Sequence, residues 1–292
     1  MFALETPDMA WSEQLQVAQR AARAAGDLLR MKFGTHLCVR SKGLRSNLVT
    51  DADEQSEKLI RSLIAQRFPD DAVLGEEAGV GRSPGERLHD SDTQPPRGRW
   101  IVDPLDGTTN YAHGYPFFCV SIAYECEGQI VLGVVYDPVR DELFVAEQGA
   151  RARLNGGRII VSSRRELRDA LIVTGFPPIG PGDTPPLRPL ELMMKNCQAV
   201  RRDGSAALDL CYVAAGRFDG FWESGLHAWD VAAGGLIVEA AGGRVSDYSG
   251  RALKLESGEL VASNGAIHDA MLTVLRDAVD DRMHSTATSK RR

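Results

Sequence analysis

The chain has 292 residues and a net charge of −6, with 43% hydrophobic and 25% charged residues. This composition is ordinary for a globular protein, and the acidic balance argues against nucleic acid as the main partner. No stretch approaches the roughly 20 apolar residues that span a bilayer, and the N-terminus lacks the pattern of a secretory signal. Five scattered cysteines without a CxxC pair predict a reduced, cytoplasmic protein without a thiolate zinc site.

The first half of the chain predicts helices followed by a sheet that looks antiparallel. Apolar residues recur at steps of three and four over residues 12–32 and 54–68, which predicts two helices. A short apolar run at residues 72–74 then predicts a strand that ends in two glutamates. Residues 79–99 are rich in Gly, Pro, Ser and charge, which predicts a surface loop. From residue 100 onwards, several apolar runs separated by turns predict strands.

Strands and helices alternate after about residue 165, which predicts an α/β layer. The strand-like runs are ALIVTGF, FDGFWE and ELVASN, and the helix-like runs are GSAALDLCYVAAG, WDVAAGGLIVEAAGG and AIHDAMLTVLRDAVD. Residues 177–189 are rich in proline and predict a loop. We therefore expect an N-terminal α+β part (1–160), a C-terminal α/β part (161–280) and a disordered tail (281–292).

The run WIVDPLDGTTN permits two interpretations. As a turn, Pro104 presets φ and Asp-Gly tolerates tight geometry. As a metal site, Pro104 stops ladder pairing, so we expect the chain to leave the sheet at Asp103. Asp103, the Leu105 carbonyl and Asp106 could then face one point, and hard cations such as Mg²⁺ prefer such oxygen ligands.

The residues that follow add an anion site to the metal interpretation. Gly107, Thr108 and Thr109 would place backbone N–H groups beside the cation if they open a helical turn. A cation held by carboxylates next to such a cradle outlines a phosphate site.

Further carboxylates also fall where a regular element starts or stops: Asp53, Glu76, Glu223 and Asp230. Glu76 and Asp230 also have structural interpretations, as an acidic loop tip and as a helix N-cap. Asp51 and Glu54 fit a capping box for the second helix, which leaves Asp53 without a structural role. Together with Asp103 and Asp106, these residues predict one polar cleft with two or more cations.

The sequence resembles the inositol monophosphatase family of Mg²⁺-dependent, lithium-sensitive phosphatases. The resemblance rests on LVTDAD, GEE, WIVDPLDGTTNYAHGYPFFCVSIA and WDVAAGGLIVEAAGG, in that order, between about residues 11 and 278. It implies an α/β fold, a five-layer αβαβα sandwich of the inositol monophosphatase and fructose-1,6-bisphosphatase type. It also implies a homodimer with two or three Mg²⁺ per active site, most of whose ligands lie in the N-terminal part.

The resemblance further implies a role for each site residue. Glu76, Asp103 and the Leu105 carbonyl would hold one Mg²⁺, and Asp103, Asp106 and Asp230 a second. Thr108 and Asp53 would be the catalytic pair that directs the attacking water. The residues implied for substrate binding are Lys42, Asp106, Gly107, Thr108, Gly204, Ser205, Ala206, Glu223 and Asp230.

The implied function is hydrolysis of a small polyol phosphate, first of all inositol 1-monophosphate, by direct in-line attack of a metal-activated water. Alternatives on the same fold are histidinol-phosphate, fructose-1,6-bisphosphate and adenosine-3′,5′-bisphosphate phosphatases. A non-catalytic binding module would be expected to have lost ligands, yet all of them are present. We expect a small phosphate ester as partner, with no nucleic acid and no membrane. The segments 78–99 and 177–189 depart from the family pattern and leave loop closure and substrate size open.

Overall fold

The computed structural model describes residues 11–35, 39–41, 48–82, 98–177, 180 and 187–289, and of residues 80–82 and 279–289 the backbone alone. Lys42 and much of the two departing segments therefore lie outside the described residues. The helices of the described part are α1 (Ser12–Lys32), α2 (Asp51–Ala65), α3 (Thr108–Ala112), α4 (Leu187–Asn196), α5 (Ala206–Ala214), α6 (Ala228–Ala240) and α7 (His268–Ser289). None of them is long and apolar enough to cross a membrane.

The strands form three sheets. They are β1 (Val39–Ser41), β2 (Leu48–Thr50), β3 (Ala72–Gly75), β4 (Gly79–Arg82), β5 (Gly98–Asp106), β6 (Cys119–Cys126), β7 (Gln129–Asp137), β8 (Glu142–Glu147), β9 (Arg153–Leu154), β10 (Gly157–Arg158), β11 (Leu171–Thr174), β12 (Ala199–Arg201), β13 (Gly220–Ser224), β14 (Arg244–Ser246) and β15 (Glu259–Ser263). Among the strands that the structure describes, β1 and β2 pair only with each other. The first large sheet has the order β10-β9-β8-β7-β6-β5-β3-β4, and the second has the order β12-β11-β13-β15-β14.

The layers confirm the predicted αβαβα sandwich. Helices α1 and α2 pack against one another and on the outer face of the first sheet. Helices α5 and α6 lie between the two sheets, and α4 and α7 cover the far face of the second. One apolar cluster joins both sheets through the middle layer, with Ile101 and Phe144 from the first and Val173 and Phe221 from the second.

Close approach in the middle layer depends on small residues, as the run AAGG in α6 indicates. A Cβ added at Gly133 of β7 would lie 2.7 Å from the carbonyl oxygen of Ala233, and one at Gly234 would lie 2.7 Å from Leu210 of α5. Because real Cβ atoms do not approach other atoms so closely, α6 can contact both β7 and α5 only with glycine at these positions.

Several elements differ from the sequence prediction. Helix α2 begins at Asp51 rather than at residue 54, and the expected loop over 79–99 begins with β4, which pairs with β3. The apolar pattern of the sequence does not indicate β12, β14 or α4. Strands of three residues contain too few positions to show alternation. Helix α7 continues to Ser289, through most of the segment expected to be a disordered tail.

Candidate active site

Strand β5 carries the first two site carboxylates through a bulge. Asp103 pairs with Ser121 and Asp106 with Cys119, so three steps along β5 oppose two along β6. The prediction that the chain leaves the sheet at Asp103 is therefore wrong, because the bulge accommodates the missing N–H of Pro104. The turn interpretation is also correct locally, since Asp103 Oδ1 accepts the Leu105 N–H at 3.0 Å.

Asp103 belongs to an acidic cluster with Glu76, Asp106 and Asp230. It is 2% exposed. Burial, and then the negative charges of Glu76, Asp106 and Asp230, raise its pKa well above the usual range of an aspartate. The structure thus brings together four of the carboxylates that the sequence places at separate element ends.

Asp106 is held by the N-terminus of α5. Its Oδ2 accepts the Ser205 hydroxyl at 2.7 Å and the Ala207 N–H at 2.7 Å. Burial raises the pKa of Asp106 to about 6, although these hydrogen bonds favour its charged form. Ser205 was expected to face the substrate, but it is 1% exposed and its hydroxyl contacts Asp106 instead.

Asp53, in the first turn of α2, belongs both to a helix cap and to the expected catalytic pair. The N-cap is Thr50, not Asp51, and the Thr50 N–H and hydroxyl both donate to Asp53 Oδ2, at 2.9 and 2.6 Å. The other oxygen, Oδ1, accepts the Thr108 hydroxyl at 2.9 Å. Asp53 therefore has a structural role as well, and burial raises its pKa. Thr108 Oγ1 also lies 3.1 Å from the Leu105 carbonyl oxygen.

Asp230 lies in the first turn of α6 rather than at its N-cap, which is His227. Its Oδ2 accepts the His227 N–H at 2.6 Å. Burial, and then the charge of Asp106, raise the pKa of Asp230 well above its usual value. Burial, opposed by Arg202, likewise raises the pKa of Glu223 to about 8.

Several of these groups line a cleft of about 690 Å³, whereas Asp53, Asp103, Leu105 and Ser205 lie behind its surface. The expected site residues that line it are Glu76, Asp106, Gly107, Thr108, Gly204, Ala206, Glu223 and Asp230. Lining side chains that were not predicted from the sequence include Asn110, His113, Arg202 and Trp229. Asn110 could have been suspected from its place directly after DGTT, whereas nothing local distinguishes Arg202 from other surface arginines.

Gly107 and Asn110 shape the end of the cleft next to Asp106. Gly107 precedes the single turn of α3 with φ +99°, and a Cβ there would lie 2.9 Å from the Phe117 carbonyl oxygen. The Asn110 side-chain amide donates to the carbonyls of Phe117 and Asp203, both at 2.8 Å. The predicted helical opening after DPLD is thus present, and Asn110 connects it to the turn before α5.

The donor set fits a hard divalent cation. Buried carboxylates that repel one another, with a carbonyl close by, form the all-oxygen environment that Mg²⁺ prefers. Within the described part of the chain, no three or more His, Cys, Asp or Glu side chains form a preassembled metal cage. One oxygen each of Asp106 and Asp230 is engaged by backbone N–H groups, which leaves their second oxygens as the available ligand atoms.

Comparison with known proteins agrees with this geometry. A model of the inositol monophosphatase family matches residues 10–280. The chain belongs to the inositol monophosphatase family. It is 44% identical to an inositol-1-monophosphatase of Mesorhizobium japonicum over 277 residues, which cover 94% of this chain and all of that protein.

Other members of this family carry a different name. The chain is 41% identical to the Nus factor SuhB of Escherichia coli K12, over 92% of this chain and 98% of that protein. The crystal structure of the extragenic suppressor protein suhB from Bartonella henselae superposes with a TM-score of 0.82 at 42% identity, covering 90% of this chain and 98% of that one. The family membership supports a phosphatase of the inositol monophosphatase type.

The acidic cluster predicts an unusual dependence of stability on pH. Each carboxyl with a raised pKa stabilises the fold below its unfolded pKa, and this contribution is lost as the pH rises through the folded value, about 6 for Asp106 and about 8 for Glu223. In EDTA we expect the Tm to fall between about pH 5 and about pH 9, and to fall less in Mg²⁺. Differential scanning calorimetry checks this. Glu223→Gln is the control, and it should flatten the high-pH part of the plot of Tm against pH. A Tm in EDTA that rises over this range would contradict it.

Proposed function

We propose that the chain is a Mg²⁺-dependent phosphomonoesterase that hydrolyses a small polyol phosphate, first of all inositol 1-monophosphate. The observation that carries the proposal is the cluster of Glu76, Asp103, Asp106 and Asp230 beside the backbone turn at Gly107, in which Asp103 and Asp106 are buried. A purely structural cluster of this kind would cost stability, because its charges repel one another out of water. Accumulated negative charge at one end of a cleft is instead expected where cations and a phosphate bind.

In this proposal Glu76, Asp103 and the Leu105 carbonyl hold one Mg²⁺, and Asp103, Asp106 and Asp230 hold a second. When bound, such ions stabilise negative charge on the phosphoryl oxygens and make water more acidic. The N–H groups of Gly107 and Thr108 bind the phosphate, and Gly204, Ala206 and Glu223 face the polyol.

Thr108 and Asp53 prepare the nucleophile. The Thr108 hydroxyl donates its proton to Asp53 at 2.9 Å, which leaves its lone pairs free to accept a hydrogen bond from water in the cleft. As the water attacks, Thr108 Oγ1 takes its proton and passes the hydroxyl proton to Asp53 Oδ1, and the raised pKa of Asp53, caused by burial, favours that uptake. We infer direct in-line attack without a phosphoenzyme, so acid quenching during turnover should trap no phosphorylated aspartate.

Assays on a panel of phosphate esters test the identity of the substrate. We expect kcat/KM to be highest for myo-inositol 1-phosphate and lower for histidinol phosphate, fructose 1,6-bisphosphate and adenosine 3′,5′-bisphosphate. A clear preference for one of the other three would reassign the substrate within the family, and no release from any ester would favour a non-catalytic role. The outcome without any release has to be considered because relatives of this chain carry the name Nus factor SuhB.

The homodimer implied by the resemblance is also a proposal. Light scattering coupled to gel filtration should give twice the mass of 31.8 kDa calculated for one chain.

A further inference from the structure

Helix α2 has a buried polar face beside its apolar one. Ile60 and Ile64 pack into the core, as the apolar periodicity predicts. Ser56, Glu57 and Arg61 are also buried, at 0%, 2% and 7% exposure. Because burying a charged pair costs desolvation, a pair in this place requires an explanation from what it contacts.

Glu57 and Arg61 bind one another and the turn that contains Glu76. Arg61 Nε donates to Glu57 Oε1 at 2.7 Å. Glu57 accepts the N–H of Glu77 at 2.8 Å and that of Ala78 at 3.3 Å.

Arg61 binds the backbone before and after the same turn. Its Nη1 donates to the carbonyl of Val73 at 3.2 Å, and its Nη2 donates to that of Gly79 at 2.9 Å. The ion pair therefore contacts the backbone on both sides of Glu76.

Gly75 shows how closely the pair packs against this backbone. A Cβ at Gly75 would lie 2.5 Å from Glu57 Oε1 and 2.7 Å from Arg61 Nη2. A side chain at this position would therefore displace the ion pair, and it would do so without backbone strain, since the φ of Gly75 is not in the left-handed region.

The same turn is connected to the strand that carries Asp103. The N–H of Glu76 donates to the carbonyl of Val102 at 3.3 Å, and Val102 precedes Asp103 directly. A shift of the turn would therefore change the separation between the Glu76 and Asp103 carboxylates. Ser56 contributes nearby, donating to the carbonyl of Pro104 in the β5 bulge at 2.8 Å.

We propose that Glu57 and Arg61 are positioning residues that fix the Glu76 carboxylate relative to Asp103 and so set the affinity for the divalent cation. The inference rests on the proposed function, which makes Glu76 and Asp103 metal ligands. Groups that orient metal ligands typically change metal affinity when they are removed, while the ligands themselves remain.

The test measures Mg²⁺ binding without substrate, from the rise of Tm with Mg²⁺ concentration. Arg61→Met should weaken the apparent Mg²⁺ affinity about tenfold or more, and kcat should recover at saturating Mg²⁺. Arg61→Lys keeps the charge but loses the fork of donors, and should shift the affinity in the same direction by less. Gly75→Ala should also weaken it, because it displaces the pair without changing any charge.

The matched control is Arg217→Met. Arg217 forms a two-bond ion pair with Glu142, at 2.6 and 2.5 Å, beyond the end of α5 that points away from the cleft. The substitution Arg217→Met should lower Tm without changing the Mg²⁺ affinity.

Unchanged affinity in folded Arg61→Lys and Gly75→Ala would overturn the inference while leaving the proposed function intact, as would an equal shift in Arg217→Met. A wild-type chain whose Tm does not respond to Mg²⁺ would overturn both.

Discussion

Asp103→Asn should lower kcat about 10³-fold at saturating Mg²⁺. The proposed ligand set uses Asp103 for both cations, so the loss of its charge removes several kcal/mol of charge stabilisation, at ~1.4 kcal/mol per factor of ten. An asparagine oxygen can still accept the Leu105 N–H, so the bulge should persist. Steady-state phosphate release measures the effect, and near-normal kcat would contradict the assignment.

The same variant should be at least as stable as the wild type in EDTA. Burial and three neighbouring carboxylates disfavour the charge of Asp103, so a neutral side chain relieves the repulsion. A gain in stability at the expense of activity is typical of functional sites.

Asp71→Asn is the matched control for this substitution. Asp71 is also a carboxylate with a pKa raised by burial, but it accepts the Trp100 indole N–H at 3.0 Å near the opposite end of β5. The control should keep full activity. If both variants lose activity equally, the loss reflects the fold rather than the metal site.

Thr108→Val should lower kcat about 10²- to 10⁴-fold, the usual contribution of a positioned proton-transfer group. Valine keeps the shape but lacks the hydroxyl that contacts Asp53 and the Leu105 carbonyl. Because Thr108 is not one of the proposed metal ligands, the apparent Mg²⁺ affinity should not change.

Thr50→Val tests whether the two sides of Asp53 have different roles. The Thr50 hydroxyl donates to the same carboxylate, but it also caps α2 by accepting the Ala52 N–H at 3.1 Å. This variant should lose about 1 kcal/mol of stability and much less activity than Thr108→Val. Chemical denaturation and phosphate release on both variants make the comparison, and the reverse ranking of activities would contradict the proposed catalytic pair.

Much of the site could be predicted because its carboxylates follow apolar runs. The boundaries of α1 were also predicted, because its apolar period is continuous from Ser12 to Lys32. The cap of α2 was misplaced because two overlapping signals compete there, Thr50 with Asp53 and Asp51 with Glu54. Both fit a capping box, and only the tertiary contact of Asp53 with Thr108 decides between them.

The remaining features depend on contacts between distant parts of the chain. Glu57 and Arg61 have the i,i+4 spacing of an ordinary solvated helix pair, so nothing local indicates their burial. Ser205 follows a glycine at a helix start, and its preference for Asp106 over the cleft depends on the position of β5. Pro104 predicts an interruption of the ladder, but whether it produces a bulge or an exit depends on the partner strand β6.

Metal-dependent ester hydrolysis in this acidic cleft would require both the cation and the Asp103 carboxylate. The most direct measurement follows phosphate release from myo-inositol 1-phosphate by the wild type and Asp103→Asn, first in EDTA and then after Mg²⁺ is restored. We predict no release in EDTA, release by the wild type alone once Mg²⁺ is added, and inhibition of that release by Li⁺. Phosphate release by the wild type that persists in EDTA would contradict metal-dependent hydrolysis. Phosphate release by Asp103→Asn at the wild-type rate would contradict the role of Asp103.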